Sequence, residues 1–261
     1  MPTRQRSTIR KPGWITTAGR IFLNGEEDGP PFGDPGRAFA HFASGPQAGN
    51  SYELPWIGKF AHENVVANAH TGDATVVASM DDTSPIGQVY FYLGHKQSTG
   101  SDLDKAGLTG GDLYGVKVDE MSTETTAANP LGGDGTSSFT MFNFGNVANT
   151  SGAALEAAGV GNVTGFLRPE DGAWDTVDPD RFYFVTTDAF NAPSRLWALD
   201  FTDASHPELG GTVRLMLDGT EGQQMMDNIT VNQQGHVIIQ EDVGNNAMSA
   251  KSGTMIRSTT A

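Results

Sequence analysis

The chain has 261 residues, of which 31 are acidic and 16 are basic, so its formal net charge is −15. Such an acidic excess leaves no basic surface for the phosphates of nucleic acids or anionic lipids, and it makes cations the natural partners. The absence of cysteine excludes disulfides, thiolate metal sites and cysteine nucleophiles.

The content of 33 glycines and 13 prolines is typical of many tight turns and short elements, and it favours β structure over helices. We predict three segments: a disordered or loosely attached arm over residues 1–19, a β domain over 20–248 and a frayed tail over 249–261. The arm is basic but lacks the apolar core of a signal peptide. No apolar run approaches the length of a membrane span, so membrane insertion is not expected.

In chain order, the first predicted strand lies within Gly19–Asp28 and leads into a run of acids. Residues 29–55 are mostly loop, with a short strand at Phe39–Phe42. A phrase of short strands joined by turns then occurs three times. Its strands are Asn64–Asn68, Ala74–Met80 and Gly87–Leu93; Asp175–Val177, Arg181–Thr187 and Arg195–Phe201; and Asn228–Asn232 with His236–Gln240.

Other strand patterns lie at Leu113–Val118, Ser138–Phe144 and Thr212–Leu217, and the helix patterns are limited to Asp102–Leu108 and Thr150–Gly159. Recurring meanders of this kind are typical of sheets stacked radially. The total of roughly eleven to thirteen strands makes about three four-stranded blades, whereas closed propellers have four to eight. The sequence therefore predicts an all-β, propeller-like fold that is incomplete, as in a fragment or truncated product, with minor helical insertions.

Acidic residues recur where these strands begin or end. In a radial arrangement several of them would converge near one axis, and close like charges repel unless a cation lies between them. Calcium suits such a site because it takes six to eight oxygen ligands in flexible geometry. The alternative is that each acid ends its strand in solvent. The acids concerned are Glu26, Glu27, Glu63, Asp81, Asp82, Glu170, Asp188, Glu241 and Asp242.

Four motifs, in this order, resemble those of the PhoX alkaline phosphatases, a secreted bacterial β-propeller family. The first is Ile57–Glu63, similar to Gly-Arg-Phe-x-His-Glu, and the second is the strand that ends on Asp81 and Asp82. Arg168-Pro-Glu170 is the third, and the phrase from Asp227 to Asp242 is the fourth. Together they cover about residues 20–95 and 160–248.

The resemblance implies a phosphomonoesterase that uses iron and calcium on a small-molecule phosphate ester, in a periplasmic or extracellular location. We expect a monomer that binds no nucleic acid. Carried over residue by residue, Arg168 would orient the phosphate, and Glu63 and Glu170 would bind iron and act with Arg168 in catalysis. The residues that would surround calcium are Glu26, Glu27, Asp227, Asn228 and Glu241.

One position departs from the family pattern. Family members carry Thr-Cys-Glu-Glu where this chain has Asn24-Gly25-Glu26-Glu27, and the cysteine is expected to bridge the iron pair. The sequence therefore leaves two alternatives to a phosphatase open. One is a non-catalytic, calcium-binding propeller module, and the other is a different propeller hydrolase, such as a phytase-like or lactonase-like enzyme.

Overall fold

The computed structural model describes residues 14–16, 19–27, 36–242 and 252–257. Within these ranges the fold is all-β and propeller-like, with sixteen strands in three antiparallel sheets. The first sheet contains β1 (Trp14–Thr16), β2 (Arg20–Gly25), β3 (Ala38–Phe42) and β4 (Ser51–Glu53).

The second sheet has nine strands, in the order β10-β11-β12-β13-β9-β8-β7-β6-β5. One half contains β5 (His62–Ala67), β6 (Ala74–Asp81), β7 (Val89–His95), β8 (Asp112–Val118) and β9 (Thr136–Gly145). The other half contains β10 (Pro169–Trp174), β11 (Arg181–Thr186), β12 (Arg195–Phe201) and β13 (Gly211–Leu217). The third sheet contains β14 (Met226–Val231), β15 (His236–Glu241) and β16 (Ser252–Arg257).

Helices are short and lie between strands. They are α1 (Asp102–Lys105), α2 (Gly152–Gly159) and the 3-10 turns Pro55–Ile57 and Pro207–Leu209. This agrees with the two helix patterns found in the sequence. Among the described residues, none of these helices has the length and apolar character needed to cross a bilayer.

The nine-stranded sheet folds back on itself around an aromatic core. Strand β9 joins its halves because one part pairs with β13 and the other with β8. Inside the fold, the ring of Phe91 meets those of Phe182 and Phe201 edge to face, with centroids 5.4 and 5.0 Å away. Separate apolar layers pack the first sheet on one side of this core and the third sheet on the other. The result is a fan of four stacked β layers.

Four strands from different layers lie next to one another along one side of the fan. Strand β2 contacts β5, β5 contacts β10, and β10 contacts β14. We call β2, β5, β10 and β14 the inner strands. They bring together residues that are as much as about two hundred positions apart in the sequence, as the hub of a propeller does.

The predicted hairpin of residues 181–187 and 195–201 is confirmed as β11 and β12. The strand before this hairpin is predicted at Asp175–Val177. The structure instead forms β10 at Pro169–Trp174. Proline, glycine and acidic residues have low strand propensity. This segment is nevertheless a strand because it pairs with β11 and inserts Trp174 into the aromatic core.

The segments predicted to be a loose arm and a frayed tail each contain one strand. Strand β1 pairs with β2, and β16 pairs with β15. Both use the otherwise unpaired backbone groups at the edge of a neighbouring strand. The other residues of these segments, apart from Gly19, lie outside the described residues. The predicted division into segments 1–19, 20–248 and 249–261 stays a prediction.

Candidate metal centre

Three of the inner strands carry a register shift at an acidic residue. The extra residue is Glu63 in β5 and Asp227 in β14, and the shift in β10 falls at Glu170 and Asp171. A bulge of this kind leaves a residue outside the ladder and turns its side chain in a new direction. The three bulges therefore present carboxylates at the place where the inner strands meet.

These bulges and two neighbouring acids form two groups of carboxylates. The first group is Glu27, Glu63 and Asp82, and the second is Glu63, Glu170 and Asp227; within each group the oxygens lie within 4.8 Å of one another. Glu63 belongs to both groups. Glu170 is 5 % exposed, which leaves its charge poorly solvated. Such groups have the chemistry of a centre for hard cations.

One cation from the chain itself lies between the two groups. Nη2 of Arg168 is 2.7 Å from Oδ2 of Asp82 and 3.0 Å from Oε1 of Glu170. The Arg168 side chain is 20 % exposed, so it also faces solvent. Its backbone has a φ of 54°, in the left-handed region that non-glycine residues seldom occupy. Arg168 thus neutralises part of the carboxylate charge and remains accessible.

The carboxylates resist ionisation. Burial, followed by the nearby charges of Glu27 and Asp227, raises the pKa of Glu63 to about 7. Burial and the Asp82 charge raise the pKa of Glu170, although Arg168 opposes them. The pKa of Asp227 is raised by burial and then by Asp242. Without a cation, these carboxyl groups therefore keep their protons at pH values where the same groups exposed to water would be ionised.

Metal-free protein is expected to lose stability as pH rises from 5 to 8. The folded pKa of Glu63 is about 7, above its ordinary value of 4.5, so the folded chain binds more protons than the unfolded chain in this window. Raising the pH removes these protons, and the free energy of unfolding decreases. Melting in chelator should show a Tm lower by roughly 4 °C at pH 8.

Millimolar Ca²⁺ should cancel this decrease, since a bound cation replaces the protons. A Tm that is flat between pH 5 and 8 in chelator, or a decrease that calcium leaves unchanged, would show that the acids do not interact as the distances indicate.

A cavity of about 370 Å³ lies beside the centre and is lined by all four inner strands. Oδ2 of Asp171 accepts a hydrogen bond from the Ile229 backbone N–H at 2.9 Å, which connects β10 to β14. Burial raises the pKa of Asp171 to about 7. Nδ2 of Asn228 donates to Oδ2 of Asp227 at 3.0 Å, so this predicted ligand supports another one. Both Asp171 and Asn228 line the cavity.

Comparison with known proteins places the chain in a family. The family model described as "Alkaline phosphatase PhoX" matches residues 46–261. This chain belongs to the PhoX alkaline phosphatase family. Among curated proteins, no sequence matches it.

A solved structure supports the same fold. The chain is similar to "Pseudomonas fluorescens PhoX in complex with vanadate, a transition state analogue", with a TM-score of 0.61 and 16 % sequence identity. The match covers 83 % of this chain and 44 % of that chain, so our chain spans less than half of the length of that PhoX. At this identity the likeness supports the fold alone.

The structure brings together most of the site residues inferred from the PhoX resemblance. Glu27, Glu63, Glu170 and Asp227 are members of the two carboxylate groups, and Arg168 lies between the groups. These five residues come from a loop or bulge at the inner strands. Whether they bind metal and phosphate stays a prediction at this point.

Two of the acids predicted to bind calcium lie outside both groups. The Glu26 carboxylate is paired with Arg37, at 3.0 Å from Nε and 3.1 Å from Nη2. This hydrogen bond is the main reason that the pKa of Glu26 is lowered. Oε1 of Glu241 accepts a hydrogen bond from the Gln224 backbone N–H at 2.9 Å. The structure therefore gives both carboxylates a partner within the protein.

Two acids in or beside the carboxylate groups are absent from the ligand set that the PhoX motifs imply. Asp82 follows β6 and pairs with Arg168, and Asp171 shares the bulge of β10. The sequence does carry a signal for them. Asp82 belongs to the paired aspartates at a strand end, and Asp171 directly follows the Arg-Pro-Glu motif. Their position relative to the other acids depends on the three-dimensional approach of β5, β6 and β10.

The departure at Gly25 has a structural counterpart in this PhoX family member. A Cβ atom added at Gly25 would lie 2.1 Å from Cβ of His62, which is closer than carbon atoms can approach. His62 is 1 % exposed, and its ring contacts Oγ of Ser79 at 2.8 Å and the Gly58 carbonyl oxygen at 3.3 Å. Burial lowers the pKa of His62 to about 3, so it packs as a neutral ring. The space that a cysteine would need is therefore occupied.

Gly25→Cys is expected to destabilise the chain by about 1–3 kcal/mol, because a side chain forced into a packed interior displaces its neighbours. Chemical denaturation measures this change, and Asn24→Cys is the matched control because Asn24 is exposed in the same strand. If Gly25→Cys unfolds at the wild-type denaturant concentration, β2 and β5 are farther apart than the structure shows.

Proposed function

We propose that this chain is a metal-dependent phosphomonoesterase of the PhoX type. The single observation that supports this most strongly is the position of Arg168, whose guanidinium contacts one carboxylate of each group. A phosphate held by Arg168 would lie beside the cations that the carboxylates bind. The family membership of residues 46–261 supports the same reaction class.

The donor set fits hard cations. Within the described residues both groups consist of carboxylates alone, without imidazole. Carboxylate oxygens in variable number suit Ca²⁺ first, and they also suit iron as an oxygen-liganded ion. The residues that would hold the cations are Glu27, Glu63, Asp82, Glu170 and Asp227. A bound cation supplies Lewis-acid polarisation of the phosphoryl oxygens.

Arg168 is the residue that would bind and orient the substrate. A guanidinium has five N–H donors in a rigid fork that matches phosphate geometry. The contacts to Asp82 and Glu170 both use Nη2, so we assign the two N–H groups of Nη1 to the phosphate oxygens. The two carboxylates fix the plane of the fork before substrate arrives. This preorganisation lowers the entropy lost on binding.

The test is hydrolysis of p-nitrophenyl phosphate at pH 9 by the purified chain supplied with calcium and iron together. We expect release of nitrophenol that stops in excess chelator and returns when the metals are restored. Vanadate, which mimics the transition state, should inhibit the reaction. Absence of metal-dependent release above the chelator control would overturn the proposal.

A non-catalytic, cation-binding module is the second candidate, and the packing at Gly25 favours it specifically. His62 fills the space where a cysteine side chain at position 25 would lie. A module of this kind would bind cations through Glu63 and its neighbours without releasing phosphate. Calcium binding by calorimetry together with no phosphatase activity would favour the module over the enzyme.

A further inference from the structure

A buried ion pair lies outside the carboxylate groups and has no role in the proposal so far. Nη1 of Arg195 is 3.0 Å from Oε1 of Glu124, and their side chains are 2 % and 0 % exposed. Buried ion pairs add little net stability because both charges lose their hydration. What else this pair touches therefore matters.

The two carboxylate oxygens of Glu124 have different partners: one contacts side chains, and the other contacts a backbone N–H. Its Oε1 also accepts a hydrogen bond from Oγ1 of Thr186 at 3.0 Å. Its Oε2 accepts a hydrogen bond from the Leu167 backbone N–H at 2.8 Å. Arg195 is fixed in turn, because Nη2 donates to the Ala127 carbonyl oxygen at 2.9 Å. The ion pair is thus fixed by several hydrogen bonds, and it contacts the backbone at Leu167.

Leu167 immediately precedes Arg168, whose backbone is in the left-handed region at φ 54°. A non-glycine residue keeps this conformation only when its surroundings impose it. The Leu167 and Arg168 carbonyl oxygens accept hydrogen bonds from Asp188 at 2.9 Å and Thr187 at 3.1 Å. The bond from Glu124 adds a buried, charged acceptor to these backbone contacts. Together these hydrogen bonds fix the backbone of Arg168 and therefore the direction in which its side chain leaves the backbone.

We propose that Glu124, oriented by Arg195, is a positioning residue that holds Arg168 in its phosphate-binding place. The inference rests on the proposed function, because it takes Arg168 as the phosphate ligand. Glu124 itself belongs to neither carboxylate group. It acts through the Leu167 amide and the left-handed turn that follows.

Glu124→Gln removes this support selectively. The glutamine oxygen will face Arg195 and Thr186, because an amide nitrogen there would meet two donors. The NH2 group of the glutamine then faces the Leu167 N–H. Both groups are donors, so the hydrogen bond to Leu167 is lost. Glu124→Asp is the second variant if the first does not fold. It keeps the charge opposite Arg195, but it is too short to reach Arg195 and Leu167 together.

Asp200→Asn is the matched control. Asp200 forms ion pairs with Arg181 and with Arg214, at 2.6 Å from Nε of the latter, and it has no contact with the Arg168 turn. Inhibition of p-nitrophenyl phosphate hydrolysis by inorganic phosphate is the readout. We expect Glu124→Gln to raise the inhibition constant about 10-fold or more, and Asp200→Asn to change it less than about 2-fold.

A double variant separates positioning from a general loss of structure. If Glu124 acts through Arg168, Glu124→Gln will have little further effect on phosphate inhibition in an Arg168→Lys background. Full additivity of the two substitutions would overturn the proposal. So would a Glu124→Gln enzyme whose phosphate inhibition equals that of the wild type.

A readout without catalysis keeps this inference distinct from the proposed function. By NMR, the Arg168 Nε–H and the Leu167 amide should exchange with water faster in Glu124→Gln, and at the wild-type rate in Asp200→Asn. An inactive wild type with this exchange difference would overturn the phosphatase proposal and support the positioning. Unchanged exchange in Glu124→Gln would overturn the positioning, whatever the activity.

Discussion

Glu63→Gln is expected to lower calcium affinity by at least about 100-fold and to reduce metal-dependent phosphatase activity to a similar degree. Glu63 is the residue shared by both carboxylate groups, so one substitution removes a charged ligand from each. Loss of residues that merely support metal ligands costs 10–100-fold in affinity, and loss of a shared ligand should cost at least the upper value. Calorimetric titration of metal-free protein with Ca²⁺ measures the effect.

The control for this substitution is Glu26→Gln. Glu26 is also acidic and close in space to β5, but its carboxylate is paired with Arg37. We expect its calcium affinity to stay within about 2-fold of the wild type. If Glu26→Gln weakens calcium as much as Glu63→Gln, the cation site lies elsewhere among the acids and the assignment of Glu63 is wrong.

Arg168→Lys is expected to lower kcat/KM for a phosphomonoester by about 100-fold. Lysine keeps the positive charge, but it cannot present a planar fork to phosphate while contacting Asp82 and Glu170. The loss of about 2.7 kcal/mol lies within the range for hydrogen bonds to charged groups, and it corresponds to two powers of ten in rate. Steady-state kinetics at saturating metal measures it.

Arg181→Lys is the corresponding control, because Arg181 pairs with Asp200 away from the centre. Its kcat/KM should remain within about 2-fold of the wild type. An Arg168→Lys enzyme with wild-type kinetics would show that the guanidinium does not bind phosphate in the way proposed.

Most strands could be predicted because their residues have high intrinsic strand propensity. The aromatic and β-branched pattern of 181–186 and 195–201 is strong enough to define a hairpin without tertiary information. Strand β10 is the counterexample. Its sequence, PEDGAW, has little strand propensity, and it becomes a strand through pairing with β11 and burial of Trp174. Tertiary context decided this element.

The candidate site was predictable in kind but not in membership. Acids at repeated strand positions indicated convergence, and the groups around Glu63 agree with it. The sequence could not show that Glu26 would pair with Arg37, because that depends on how two neighbouring strand ends meet. Nor could it show that Glu124 would reach Leu167, a contact between positions 43 residues apart. Pairwise contacts of this kind follow from packing rather than from local pattern.

The most direct test of the account is a count of bound metal per chain. Wild-type protein is loaded with calcium and iron, dialysed against metal-free buffer to remove unbound metal, and measured by elemental analysis. If the bulges of β5, β10 and β14 turn their carboxylates toward shared cations, about one or more metal ions should remain bound per molecule. A wild-type chain that is folded and retains essentially no calcium or iron would contradict the account.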